Sequence, residues 1–197
     1  MVDYQSIAPV MGRLADRLTA HYVEPVADWL RPAVRPGGAV LNVGVGTGTL
    51  AAAVADALGA FLVVLNPAPP LLSRVPKHAR VRGQRGYAKA IPYPDDSFDA
   101  VVAPNTFHNL SDPQRAVGEF FRVVRPGGRV VVLEFAPSNP TRPLVWFERL
   151  LGGPESLMTP DDLCALMAHH GIEGECTSLG RSAFRFLGVV TKAENLD

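Results

Sequence analysis

Three groups of residues in this 197-residue chain have types and spacings that could do chemistry. The first is Gly44-Val45-Gly46-Thr47-Gly48, a Gly-x-Gly-x-Gly run. Glycines let the backbone approach a ligand closely, and a helix starting behind them offers unpaired N–H groups to negative charge. The second is His108, in Thr106-Phe107-His108-Asn109-Leu110, the residue type best placed to take a proton near neutral pH. The third is Cys164, His169, His170 and Cys176. They lack the close Cys-x-x-Cys pair of a zinc site, so no metal is expected.

The glycine run excludes some ligands by its spacing. A dinucleotide loop carries its third glycine one place later, where Thr49 stands, and the strand-end acid that would hold an NAD ribose is replaced by Asn66. A Walker loop would need Gly-Lys-Ser/Thr, which is absent. Nicotinamide-dependent dehydrogenases and NTPases are disfavoured.

The elements that position these residues follow from periodicity and punctuation. Ala39 to Val43 is a short apolar run bounded by glycines, hence a buried strand, and an alanine-rich helix follows from Thr49 to about Leu58. Phe61 to Leu65, Ala79 to Gln84, Ser97 to Ala103 and Arg129 to Phe135 predict four further strands. Between them, Leu71 and Leu72 begin a short helix, and Asp112-Pro113 caps a longer one that Arg125-Pro126-Gly127-Gly128 stops. Helices are also predicted through Met11, Leu14, Ala15 and Leu18 and from Pro25 to about Val34. Alternating strands and helices imply right-handed crossovers and a mostly parallel sheet covered on both faces. In the tail, Thr159-Pro160-Asp161-Asp162 resembles a capping box for a helix reaching about His170. Ile172 to Leu179 and Ala183 to Thr191, joined by a tight turn at Gly180-Arg181, must pair antiparallel.

Composition bounds the function. With 47% hydrophobic and 19% charged residues the chain can build a sizeable core, so disorder is excluded. Nineteen Lys and Arg balance nineteen Asp and Glu, leaving no excess for a phosphate backbone; nucleic acid is not an expected partner. The local basic cluster of Arg74, Lys77, His78, Arg80, Arg82 and Arg85 is expected to be solvated surface. Residues 1–5 do not resemble a signal peptide, and the longest charge-free apolar run, Ala57 to Leu65, is too short to span a bilayer. A single cytoplasmic domain with two reduced cysteines is the expectation, with a homodimer left open.

Val40 to Gly48 is similar to the first motif of class I S-adenosylmethionine-dependent methyltransferases. Ile91-Pro92-Tyr93-Pro94-Asp95-Asp96-Ser97-Phe98-Asp99-Ala100-Val101-Val102 resembles the stretch leading into their fourth strand. Arg122 to Gly128, continuing to Leu133-Glu134-Phe135, resembles the signature of the ubiquinone/menaquinone C-methyltransferases. The three blocks stand in the right order and cover roughly residues 36 to 136. The resemblance implies a Rossmann-like α/β fold with a seven-stranded sheet, mostly parallel with an antiparallel final strand. It also implies three parts: an N-terminal helical lid (1–35), a cofactor-binding core (36–136) and C-terminal helices with a β-hairpin (137–197).

By the same resemblance S-adenosylmethionine is the cofactor, held by Asn42, Gly44, Val45, Gly46, Asn66, Pro67, Tyr87, Ala88 and Asn105, with Asn66 on the ribose and Tyr87-Ala88 near the adenine. His108 is the candidate base; Tyr4, Phe107 and Trp146 are candidate contacts for a small-molecule acceptor. The expected reaction is methyl transfer to carbon or oxygen of a small apolar metabolite, quinone-like or polyketide-like. The chain departs from the family at three places where acids are usual: Asn42, Asn66 and Tyr87. Replacing charge-assisted hydrogen bonds by neutral ones there implies roughly 30- to 1000-fold weaker cofactor binding. The alternatives are a repurposed cleft doing cyclisation, elimination or hydrolysis, and a non-catalytic ligand-binding pseudoenzyme. A latent methyltransferase is expected to gain cofactor affinity from Asn66→Asp and Tyr87→Asp.

Overall fold

The computed structural model describes residues 20–44, 48–136 and 158–192. Tyr4 and Trp146, the helix expected through Met11 and Leu18, and Val45 and Gly46 lie outside them. The described chain forms seven strands: β1 (Ala39–Val43), β2 (Phe61–Asn66), β3 (Val81–Arg85), β4 (Phe98–Pro104), β5 (Val124–Phe135), β6 (Ile172–Ser178) and β7 (Ala183–Val190). They lie in one sheet in the order β3-β2-β1-β4-β5-β7-β6. The five strands β1 to β5 pair parallel, and β7 runs antiparallel to both β5 and β6. The link from β6 to β7 reverses the chain at Gly180, whose φ of 78° suits a residue without Cβ.

Strand alternation divides the core between two faces. Val40, Leu62, Val64, Ala100, Val102, Val131 and Leu133 face α1 (Val23–Leu30) and α2 (Thr49–Leu58). Leu41, Val63, Leu65, Val101, Val130 and Val132 face α4 (Pro113–Val123) and α5 (Pro160–His169). In α4 the buried residues Ala116, Val117, Phe120 and Val123 fall on one stripe. Full burial of a side chain such as Phe120 stabilises the fold by about 1.5–3 kcal/mol. Asp112 accepts the Arg115 N–H at the start of α4, and Thr159 with Asp162 forms the reciprocal capping box of α5.

Boundaries shift where local geometry permits. Helix α1 begins two residues before Pro25, because a proline within the first turn forfeits no intrahelical bond. A four-residue helix, α3 (Pro69–Leu72), opens on the prolines rather than after them. Arg125 to Gly128 ends α4 as its composition predicts, then bulges inside β5: Phe98 pairs with Val124 and Ala100 with Arg129. The crossover from β3 to β4, residues 86–97, carries no helix. Instead Arg122 of α4 donates to the Tyr93 and Ile91 carbonyls and to Asp95, while Glu119 accepts the Ile91 N–H at 2.6 Å. Side chains of α4 thereby do the work of helix backbone in fixing that crossover.

Candidate functional site

Strand order reverses between β1 and β4, since β2 and β3 extend one way from β1 and β4 begins the other half. A reversal of this kind leaves a crevice at the C-terminal strand ends, which is where open α/β sheets bind ligands. Six polar or charged side chains are buried among the described residues: Asn42, Asn66, Asp99, Thr106, His108 and Glu134. Five of them, all but Asp99, lie at that edge. Buried polar groups cost free energy unless partnered, so their concentration at one edge calls for an account of each.

Gly44 leaves β1 with a φ of 106°, and a methyl group there would collide with Thr106. Thr106 reaches across the switch point, donating to the carbonyls of Val43 and Pro104 at 2.9 Å. Glycine at 44 is therefore required twice, by backbone conformation and by close packing. Asn66 closes the other side. Its Nδ2 donates to the Gly44 carbonyl at 2.6 Å and its Oδ1 accepts the Ala68 N–H at 2.8 Å. Asn105, the first residue past β4, sits in the left-handed region at φ 47°, and its N–H donates to Leu133 at 2.7 Å. Strained backbone of this kind gathers at ligand sites.

His108 lies in a single 3₁₀ turn, Phe107–Asn109, directly after β4. Its Nδ1 is 2.7 Å from Glu134 Oε1, and its own N–H donates to Glu134 Oε2 at 3.3 Å. Glu134 is 1% exposed and also accepts the Phe135 N–H at 2.9 Å. An ionised carboxylate accepts only, so Nδ1 carries the proton. Asn109 Nδ2 stands 2.8 Å from Nε2. Presenting its NH₂, Asn109 suits a neutral ring; turned over, its oxygen suits the imidazolium. The arrangement serves both protonation states, as a proton acceptor requires.

The remaining predicted residues are distributed unevenly. Asn42 is 6% exposed at the end of β1, and among the described residues no hydrogen-bond partner reaches its side-chain amide. Tyr87 is 55% exposed, and Ala88 is buried behind it. Pro67 is exposed, directly after Asn66. Phe107 is buried edge-on against Phe120 with 6.1 Å between ring centres. Glu134 was not among the predicted site residues. The signal was its position, an acid at the end of the most apolar strand, where a charge needs a partner.

The cysteine–histidine set resolves into packing. Cys176 Sγ contacts the Pro160 carbonyl at 3.0 Å, and burial, with a hydrogen bond to Cys164, pushes its thiol well above the ordinary range. No group of three His, Cys, Asp or Glu suited to a metal occurs among the described residues. Nor is any described helix long and apolar enough to cross a membrane.

Residues 41–132 match the family described as "Methyltransferase domain". That stretch is similar to a methyltransferase domain. Demethylmenaquinone methyltransferase of Thermus thermophilus is 42% identical over 104 residues, 50% of this chain and 47% of that protein. The ubiquinone/menaquinone biosynthesis C-methyltransferase UbiE of a Ruegeria species is 34% identical over 121 residues, covering 57% and 48% respectively. The chain spans about half the length of the curated relatives it matches. Among solved structures, a chain of the complex between the Haloferax volcanii Trm112 methyltransferase activator and a methyltransferase superposes with a TM-score of 0.80 at 17% identity, over 96% of this chain and 98% of that one. Geranyl diphosphate methyltransferase in complex with SAM gives 0.73 at 13% identity, over 89% and 86%. At such identities the structures establish the fold alone: the Rossmann-like methyltransferase sheet with its reversed strand.

Within the stretch that resembles a methyltransferase domain, the site residues fit S-adenosylmethionine at some points and not others. Among the described residues no side-chain partner reaches the buried amide of Asn42, which leaves it able to donate to or accept from a ligand. Tyr87 offers an open ring face. Asn66 has spent one donor and one acceptor on the backbone, leaving one N–H and one lone pair.

Proposed function

We propose that this protein transfers a methyl group from S-adenosylmethionine to carbon or oxygen of a small apolar acceptor, quinone-like or polyketide-like, within a site whose cofactor-binding part is residues 36–136. The observation that carries the reading is the concentration of buried polar side chains at the C-terminal strand edge of a methyltransferase domain. The relatives act on menaquinone and ubiquinone precursors by their names, which supports a quinone-like acceptor.

S-adenosylmethionine would supply an electrophilic sulfonium methyl. Gly44, Val45 and Gly46 would admit it by close backbone approach, with Asn42, Asn66, Pro67 and Asn105 around it and Tyr87-Ala88 beside the adenine. His108 would take the proton of an acceptor hydroxyl at Nε2, with Asn109 turning over as the ring charges. Glu134 would hold the ring in one tautomer and stabilise the resulting cation, as a buried carboxylate does for a histidine base. The division into an N-terminal lid at 1–35, contributing Tyr4, and a C-terminal part from 137, contributing Trp146, belongs to the same proposal.

A second reading is favoured by one observation: no carboxylate stands at 42, 66 or 87. The same cleft would then use the His108–Glu134 pair for proton transfer without methylation. Calorimetric titration with S-adenosylmethionine and S-adenosylhomocysteine separates the two. Micromolar binding, followed by methylation of a hydroquinone acceptor in a mass-resolved assay, is the expected result. Absence of binding at millimolar ligand would exclude methyl transfer.

A further inference from the structure

The residue at the end of β2 does something different from what its position in the family implies. We infer that Asn66 is a loop-positioning residue, and that an acid at this position weakens cofactor binding instead of restoring it. Two backbone groups of opposite character face its side chain: the Gly44 carbonyl at 2.6 Å and the Ala68 N–H at 2.8 Å. The Ala68 donor requires the oxygen on its side, so the NH₂ must face Gly44, and the amide has one consistent orientation. Asn66 is 4% exposed, which shields both contacts from competing water.

The two bonds extend the sheet beyond its last rung. The β1–β2 ladder ends at Val43 opposite Leu65, followed by the Gly44 N–H to the Leu65 carbonyl at 3.1 Å. Past that point Asn66 takes the Gly44 carbonyl while Thr106 takes the Val43 carbonyl at 2.9 Å. The entry to the glycine loop is thus held from β2 on one side and from the turn after β4 on the other. A carboxylate at 66 keeps the Ala68 bond but sets an oxygen against the Gly44 oxygen with no proton between them. The repulsion is buried, and the carbonyl loses its partner. A protonated carboxyl has one O–H and one carbonyl oxygen, and so reproduces the amide.

The defect of Asn66→Asp is therefore pH-dependent. Of the groups around the position, Arg85, in register on β3, is charged. The Gly44–Thr47 loop and residues 67–70 carry no charge. Arg85 favours the ionised carboxyl and the Gly44 oxygen opposes it, so the comparison is best made well down in pH.

The test uses three proteins: wild type, N66D and N66A. At pH 8 the Tm of N66D is expected to fall below wild type by about 4 °C or more. At pH 4.5 at least half of that deficit disappears, whereas the N66A deficit is the same at both pH values. Should N66D fail to fold at pH 8 while N66A folds, the charge and not the missing amide is responsible, as inferred. A Tm for N66D at or above wild type at pH 8, or a deficit that tracks N66A at both pH values, overturns the inference. The binding arm, which rests on the methyltransferase reading, expects N66D to bind S-adenosylhomocysteine at least tenfold more weakly at pH 8. Tighter binding by N66D would mean that residue 66 reads the ribose after all, which also overturns it. If wild type itself does not bind, the methyltransferase reading fails while the thermal arm still decides the clamp.

Discussion

The two ends of the sheet handle buried polarity in opposite ways. At the N-terminal end, charge meets charge. Asp99, buried near the start of β4, accepts the Ala39 N–H at 2.9 Å and pairs with Arg125. Glu119, Arg122 and Asp95 form a second cluster, and Lys192 pairs with Asp96 beside it. Arg122 draws the Glu119 carboxyl below the usual range, and its own guanidinium is pushed up by the same bonds. At the C-terminal end the partners are amides, a hydroxyl and backbone, and among the described residues His108 and Glu134 form a close pair of titratable groups. Ion pairs hold one end of the sheet, and amides with spare hydrogen-bonding capacity gather at the other. A cavity of about 440 Å³ lies near the N-terminal end, lined by Phe61, Val81, Arg82, Tyr93 and Phe98.

If that division holds, substitutions at one end change activity and those at the other change stability. The largest effect is expected at the dyad. His108→Gln should lower turnover by about 10²–10⁴, the usual contribution of a positioned base, measured as initial rates across pH. Glu134→Gln should reshape the same pH profile; an unchanged profile would remove the dyad from the chemistry.

Next is Gly44→Ala, which combines a disfavoured φ with a collision at Thr106. Stability should fall by roughly 3 kcal/mol in a urea titration. At the opposite end, Asp99→Ala leaves the Ala39 N–H without its acceptor and Arg125 with the Ala33 carbonyl, and should cost about 1–3 kcal/mol, while ligand binding measured by calorimetry stays at the wild-type value.

The smallest effect, Glu119→Gln, should cost about 1–2 kcal/mol at pH 7. Its pH dependence has a definite sign. The partners of Glu119 favour the ionised form, so its folded-state pKa lies below the unfolded one. That stabilisation is complete above the ordinary carboxylate range and is lost as pH falls through the depressed folded value. Urea curves of wild type and Glu119→Gln should therefore converge in acid; a constant gap would mean that the carboxylate charge contributes nothing.

Much of the fold was legible because its signals are local. The apolar runs at 39–43 and 61–65 could only be buried strands, and Asp112-Pro113 and Thr159 to Asp162 name helix starts by their hydrogen-bonding capacity. The short Gly180 turn leaves β6 and β7 no choice but to pair antiparallel. The crossover at 86–97 was less legible, since what holds it is Arg122, about thirty residues later. In the candidate site, His108 and Asn66 stood out by type and place, but Glu134 had no motif role of its own. Its partner is twenty-six residues away and meets it only because β4 and β5 are neighbours.

By itself, then, the sequence determined which segments are strands and helices, that the sheet is mostly parallel, and that a glycine loop opens at a strand end. Each of those follows from the preferences of adjacent residues. Only the tertiary structure decided that Asn66 spends its amide on Gly44 and Ala68, and that Glu134 holds His108. It also decided that Phe107 belongs to the core. These depend on which strand ends lie side by side, and hydrogen-bond partners at 2.6–2.8 Å are chosen by that juxtaposition, not by neighbours along the chain.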